Sequence, residues 1–416
     1  MAQGCAMNAS FDVAVIGAGF VGLGVLRELS LRGQKVICFE RSSEIASGVS
    51  KGNTGIVCTA SDADPGTVEF ACLKHGEDEN LRFVQTMNVP HRRSGAIYVA
   101  WTEAERLTAL RLLEEHTQKQ TPAIWLNPPE LYQREPSLGA GARGAVLVDG
   151  EIVVEPWLFA VAQALHARQN GAKLRLQSTV TKAYRKSGCW QLDVSGPDGP
   201  VTVSASWVVN CAGLSADKVE SFHQPPWFEL SPIFGDYVIF DPPAEGFSAA
   251  IGSVPTPVSR GVYVFSTVWG NLVVGPTRRP LGEGNHSEEV ERLRKHAERV
   301  CPAVVRERLA VRGTWCGARP STELRDYRLK IDGEQKWITA AGIRSTGMSG
   351  AAGIGNLIGD AICPRVGPAS DVVTIPLPDQ RRLLAHRNEL MSAIGSDWSP
   401  QHTISKVGFA LPSSKM

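Results

Sequence analysis

The stretch that most constrains this chain runs Phe11-Asp-Val-Ala-Val-Ile16, then Gly17-Ala18-Gly19-Phe20-Val21-Gly22, and closes at Val36-Ile-Cys-Phe39 followed by Glu40 and Arg41. It reads as a buried strand, a glycine turn, a helix, a second buried strand and an acidic residue at that strand's end. Gly17 permits the tight turn, Gly19 lets the backbone approach a pyrophosphate, and Gly22 lets the helix lie close on the sheet. Val21, Val25, Leu26 and Leu29 recur at helical spacing, and the run stops near Gly33. The start of such a helix offers N–H groups and a partial positive charge to a pyrophosphate. Glu40 stands where a carboxylate accepts both ribose hydroxyls of an adenosine. The unit is a dinucleotide site.

Composition narrows the remaining classes. The 416 residues leave room for two domains with real cores, and a net charge of +1 gives no reason to expect nucleic acid or an acidic membrane as partner. Arg92-Arg93 and Arg278-Arg279 are short, isolated basic pairs and read as solvated faces. No apolar run reaches the roughly eighteen residues of a membrane span. The first ten residues lack the basic start and apolar core of a secretory leader. Nine cysteines without a CxxC pair, odd in number, argue against a disulfide framework and for a reducing compartment. No metal site is expected.

After the first unit, residues 47–55 form a small, polar, glycine-rich loop that can bend around a ligand. Residues 94–101 alternate like a strand, and 103–118 read as an amphipathic helix. Pro156 suits a first helical turn, and that helix runs to about Gln169. Strand signals follow at 172–180, 189–194 and 201–204. Residues 206–214 are another buried strand, ending in the small turn Cys211-Ala212-Gly213. Residues 230–276 hold aromatic and β-branched strands broken by glycine and proline, and 286–300 is one more helix. The last ordered unit, 337–353, is a strand turning into a glycine-rich helix through Gly342, Arg344, Gly347, Met348 and Ser349. The fold class is therefore α/β: a discontinuous Rossmann-like nucleotide domain and a β-rich substrate domain of antiparallel sheet with helices. Residues 8–90, 150–215 and 335–365 are assigned to the first, 91–149 and 216–334 to the second, and 366–416 to a C-terminal helix and tail.

Three features favour FAD over NAD. The glycine motif opens the chain, and 208–213 resembles the second small-residue turn of FAD-binding oxidoreductases. The helix start after Gly342 suits the O2/N3 edge of a flavin ring, where a helix dipole stabilises the charge that develops on reduction. Val15 to Glu40, Ser50-Lys-Gly-Asn-Thr-Gly-Ile-Val57 with Asp64-Pro-Gly66, Val208 to Gly213 and Gly342 to Gly350 together resemble the D-amino-acid-oxidase/glycerol-3-phosphate-dehydrogenase superfamily of FAD enzymes. Residues 255–257 and 270–276 are similar to its FAD glycerol-3-phosphate dehydrogenase and L-2-hydroxyglutarate oxidase branch. The cofactor set that follows is Gly17 to Gly22, Glu40, Arg41, Ser50, Lys51, Asn53, Thr54, Gly55, Val180, Cys211, Ala212, Gly213, Gly342, Arg344, Gly347, Met348 and Ser349.

The resemblance implies hydride transfer from a substrate C–H to flavin N5. The protein must hold the substrate's anionic end, aim the carbon and remove a proton. Arg319, in Gly317-Ala-Arg319-Pro320, matches the family's Gly-x-Arg-Pro arginine that contacts the substrate anion; pairing with Glu323 or Asp326 is the structural alternative. Arg344 holds substrate anion or flavin, or else closes a loop salt bridge. Hydroxy-acid relatives carry a histidine after the Asn-Ser-Gly-Ile-Val stretch, whereas this chain has Cys58, a poorer base near pH 7. His91 is the fallback base. Cys316 neighbours Arg319 and is a candidate flavin tether, one position away from the tethering motif.

The leading function is an FAD-dependent dehydrogenase or oxidase acting on glycerol 3-phosphate or a 2-hydroxy acid, with the electron acceptor open. A D-amino-acid- or sarcosine-type amine oxidase is the alternative, since a neutral amine needs no strong base. A flavin-binding sensor or assembly factor without turnover is the reading from another class. The ending Ser414-Lys415-Met416 resembles a Ser-Lys-Leu peroxisomal address, so a peroxisome-type organelle or the cytoplasm is expected.

Overall fold

The computed structural model describes residues 10–119, 121–256, 261–365, 372–380 and 382–410. The Ser414-Lys415-Met416 ending lies outside them. The first sheet has eight strands: β1 (Phe11–Ile16), β2 (Val36–Phe39), β3 (Lys173–Arg175), β4 (Thr179–Lys186), β5 (Cys189–Ser195), β6 (Val201–Asn210), β7 (Arg328–Asp332) and β8 (Trp337–Ala341). Their order is β4-β5-β6-β1-β2-β3, with β8 also beside β6 and β7 outside β8. The pairs β6–β1, β1–β2, β2–β3 and β6–β8 are parallel. Parallel strands are covered on both faces, which is why β1 and β2 are near-continuous apolar runs.

Helices α1 (Phe20–Leu31), α2 (Val68–Thr86), α3 (Pro156–Gln169) and α4 (Gly347–Ile362) share one core with this sheet, in which Val15, Leu26, Phe159 and Ile354 are buried together. Phe39, Trp190 and Trp337 fill a second core. Pro156 opens α3 as expected, and the Glu155 carboxylate accepts the Leu158 N–H there.

A nine-stranded, largely antiparallel sheet forms the other unit. The helices Glu103–Gln118 and His286–Val300 have the bounds expected from sequence. Helix His286–Val300 packs Leu293 and Ala297 with Val238, while Tyr98, Tyr237, Tyr263 and Trp315 belong to another core, shared with Ile404 of α5 (Thr403–Phe409).

Several local expectations change. Residues 201–204 and 206–210 are one unbroken strand, β6, whose first half pairs with β5 and whose second half pairs with β1 and β8. The expected strand 172–180 breaks after Arg175, where Gln177 has φ +50°. Strand β7 pairs with β8, so the first sheet draws on residues assigned above to the substrate unit. The strand His91–Arg93 joins Ile152–Val154 and Ile56–Val57 in a small third sheet. Cys189 is disulfide-bonded, a cross-link the odd cysteine count did not announce. Among the described residues no helix is long and apolar enough to cross a membrane, and no group of three His, Cys, Asp or Glu could hold a metal ion.

Candidate active site

The glycine turn sits at the C-terminal ends of β1, β2 and β6, where open α/β sheets bind ligands. Gly17 has φ +104°, and its N–H donates to the Phe39 carbonyl at 2.8 Å. A Cβ on Gly17 would lie 2.6 Å from the Cys211 carbonyl oxygen, and one on Gly22 only 1.8 Å from the Gly17 carbonyl oxygen. The backbone of the motif is therefore folded onto itself with no room for side chains. Glu40 accepts the Ala18 N–H at 2.8 Å and the Ser42 N–H at 2.9 Å, which ties the acid to the turn. The Ser50 hydroxyl accepts the Phe20 N–H at 3.0 Å, so the 47–55 loop folds over the start of α1. Within that loop Asn53 bonds the Ser50 carbonyl and the Gly55 N–H, both at 2.6 Å.

The second small turn lies alongside, with the Cys211 N–H on the Ile16 carbonyl at 2.9 Å and Gly213 at φ +58°. Arg41 reaches Ser215 at 3.3 Å. Lys51 is exposed, whereas the Val180 side chain is buried in the core with Trp190. Burial pushes the Cys211 thiol up to about 12, so it remains an inert packing group.

A cavity of about 450 Å³ opens where this domain meets the second sheet. Asn53, Thr54 and Cys58 line one side, Arg344, Ser345 and Thr346 another, and Tyr237, Tyr263, Arg278, Arg319 and Arg325 come from the substrate unit. The two units touch backbone to backbone: a Cβ on Gly52 would lie 2.4 Å from the Gly317 Cα. Arg319 donates to the Thr277 carbonyl at 3.0 Å and is hydrogen-bonded to the Tyr237 phenol. Gly235 makes space for its guanidinium, whose Nη2 lies 2.3 Å from where a Cβ would stand. Burial pushes the Tyr237 phenol up, and the Arg319 charge pulls it partly back.

A family model described as FAD dependent oxidoreductase (DAO) matches residues 12–361. The chain belongs to this family. A glycerol 3-phosphate dehydrogenase of Caloramator mitchellensis is 29% identical over 354 residues, covering 83% of this chain and 72% of that protein. A glycine oxidase of Bacillus licheniformis is 25% identical over 371 residues, covering 86% and 94%. The dithionite-reduced L-α-glycerophosphate oxidase of Mycoplasma pneumoniae, solved with FAD bound, superimposes with a TM-score of 0.79 at 21% identity over 88% of this chain and 99% of that one. The last shows the fold that the two chains share.

The residues of this FAD-dependent oxidoreductase fit the cofactor. The glycine cradle holds only where backbone replaces side chain, and neither Gly19 before α1 nor Thr346 before α4 caps its helix with its own side chain. Gly342, at φ +60°, turns the chain from β8 towards α4. At the start of α4, Met348 and Ser349 are buried, and the Ser349 hydroxyl accepts the Cys58 N–H at 3.0 Å and lies 3.2 Å from the Cys58 sulfur.

The catalytic candidates separate. Neither structural alternative for Arg319 holds: Glu323 pairs with Arg328, and Asp326 accepts the Val68 and Glu69 N–H groups at 3.0 and 2.8 Å. Arg344 does form an ion pair, to Glu69 at 2.8 Å, while still lining the cavity. His91 is a correction: its strand belongs to the small third sheet, its Nδ1 lies 2.7 Å from the Val89 carbonyl oxygen, and it does not line the cavity. Cys316 also points elsewhere, 3.7 Å from Arg279 and beside Asp236, and partial burial with that carboxylate pushes its thiol up to about 11. Sequence reasoning missed Tyr237, Tyr263, Arg325, Glu69 and the buried cavity carboxylate Glu151. None belongs to a local motif; the adjacent charges of 323–326 were the only hint.

Proposed function

We propose that this FAD-dependent oxidoreductase oxidises a small anionic 2-hydroxy compound, glycerol 3-phosphate or a 2-hydroxy acid. One observation carries the reading: Arg319, Arg278 and Arg325 line one cavity, and none has a carboxylate partner among the described residues. Guanidinium groups without a carboxylate partner attract an anion, and the planar fork of Arg319, held by the neutral Thr277 carbonyl, matches a carboxylate or phosphate. The Tyr237 hydroxyl, on the same guanidinium, supplies a further donor to that anion.

The glycine turn, Glu40 and the 47–55 loop hold the adenosine and pyrophosphate, and the starts of α1 and α4 face the cofactor's negative groups. FAD, when bound, supplies the hydride acceptor. Arg319 and Tyr237 orient the substrate, and Glu151, 1% exposed and lining the cavity, is the carboxylate we assign to take the hydroxyl proton.

A second reading, oxidation of an amino acid, is favoured by one feature: no histidine lines the described cavity, and a neutral amine gives up hydride without a strong base. Anaerobic mixing of the yellow holoenzyme with glycerol 3-phosphate, 2-hydroxy acids, glycine and D-amino acids separates them. Bleaching by a hydroxy compound supports the first reading. Bleaching by amino acids alone replaces it with the second, and repetition in air identifies the acceptor class.

A further inference from the structure

Arg344 is held in a backbone conformation that L side chains rarely adopt, φ +56°, at the turn leading into α4. What holds it comes from a distant part of the chain. Glu69, in the first turn of α2 and 2% exposed, takes Arg344 Nη1 on Oε2 at 2.8 Å and the Thr346 hydroxyl on Oε1 at 2.6 Å. Thr346 Oγ1 lies 2.7 Å from the Tyr327 phenol, and the Thr346 carbonyl accepts the Gly350 N–H at 2.8 Å inside α4. One carboxylate thus grips the turn on both sides of Ser345 and fixes how the first turn of α4 is presented.

The same contact sets charge as well as shape. Arg344 lines the cavity and is positive, the start of α4 is positive, and Glu69 brings a negative charge into contact with Arg344 and with Thr346, the residue before α4. We propose that Glu69 is a positioning residue that holds the flavin-facing turn and, by offsetting Arg344, sets how strongly the site favours reduced, anionic flavin. The inference rests on the reading that FAD lies at the start of α4. It does not depend on which substrate is oxidised.

The test uses the FAD-loaded enzyme and its Glu69→Gln, Arg344→Gln and double variants, with FAD content and melting temperature as controls. Sulfite, which bonds to oxidised flavin and leaves its electron pair on the ring, is titrated by loss of the yellow colour. Midpoint potentials are measured against a reference dye. Glu69→Gln removes the charge and keeps one acceptor, the amide oxygen for Arg344 Nη1, while its N–H turns to donate to the Thr346 hydroxyl; sulfite affinity rises about tenfold and the two-electron potential by about 30 mV. Arg344→Gln shifts both by a similar amount the other way, and the double variant lies between.

Opposite signs in the two single variants are what a merely structural role does not give. Shifts of one sign, or none with FAD retained, overturn the proposal. If Glu69→Gln does not fold, the comparison of Arg344→Gln with the double variant decides: equal potentials overturn it. Because sulfite and dye act on the flavin directly, the wild-type baseline stands even where every hydroxy compound fails to bleach the enzyme.

Discussion

In the proposed reaction Arg319 and Glu151 divide the work of the cavity, and kinetics separates them. Arg319→Ala removes a charge-assisted clamp and costs about 2–5 kcal/mol, roughly thirty- to several-thousand-fold in kcat/KM, with flavin content kept. Glu151→Gln instead lowers kcat by roughly 10²–10⁴ with a smaller effect on substrate binding. Steady-state kinetics on each, with the bleaching substrate, checks both assignments; an unaltered KM for Arg319→Ala removes it as the clamp. Gly22→Ala places a methyl 1.8 Å from the Gly17 carbonyl oxygen, so the variant purifies colourless and melts lower, as absorbance and thermal unfolding report. The glycine turn was legible in the sequence because its chemistry is local, and Arg319, singled out by a short motif, does line the cavity. Glu69 and Tyr237 were not, since each acquires its role from a partner far along the chain.

Elements show the same division. Helices with one apolar stripe, such as Glu103–Gln118 and His286–Val300, declare their bounds. Helix α2 escaped notice because its buried face includes the polar Glu69 and Asn80, which break the apolar period. Strand β6 read as two because its neighbours change half-way along. The short helix α5 is docked by two titrating contacts: the Ser405 hydroxyl on Glu155, and His402, whose Nε2 lies 2.9 Å from the Asn53 carbonyl oxygen. Burial pushes Glu155 up to about 7 from 4.5 and His402 down to about 4 from 6.5. The raised acid contributes stability that is full below about pH 4.5 and lost as pH climbs through about 7. The depressed base does the reverse, losing its contribution as pH falls from 6.5 through about 4. Glu155→Gln should therefore gain stability relative to wild type as pH rises across this window, and His402→Gln should lose it. Denaturant midpoints at several pH values check the two signs.

At the scale of the molecule, the nucleotide unit is stitched from separated stretches, and the cavity exists only where they meet the second sheet. Sequence motifs named the stretches without ordering the walls between them, so the cofactor was legible and the substrate pocket only in part. In the proposed site FAD would touch three turns of one sheet and so couple their unfolding. At free FAD about 1,000 times its Kd the holoenzyme gains about 4 kcal/mol over the apo-protein. Melting curves of apo-protein with increasing FAD should rise steadily in midpoint, and a midpoint independent of FAD contradicts the extended site. The joint between the units has a further consequence. Gly52 and Gly317 meet main chain on main chain, and the smallest side chain already overlaps. Mutational drift cannot loosen such a joint by small steps, since its first step is a collision. Change in substrate preference is open instead at the exposed rim of Glu323, Leu324 and Arg325, where side chains can be exchanged without moving this joint.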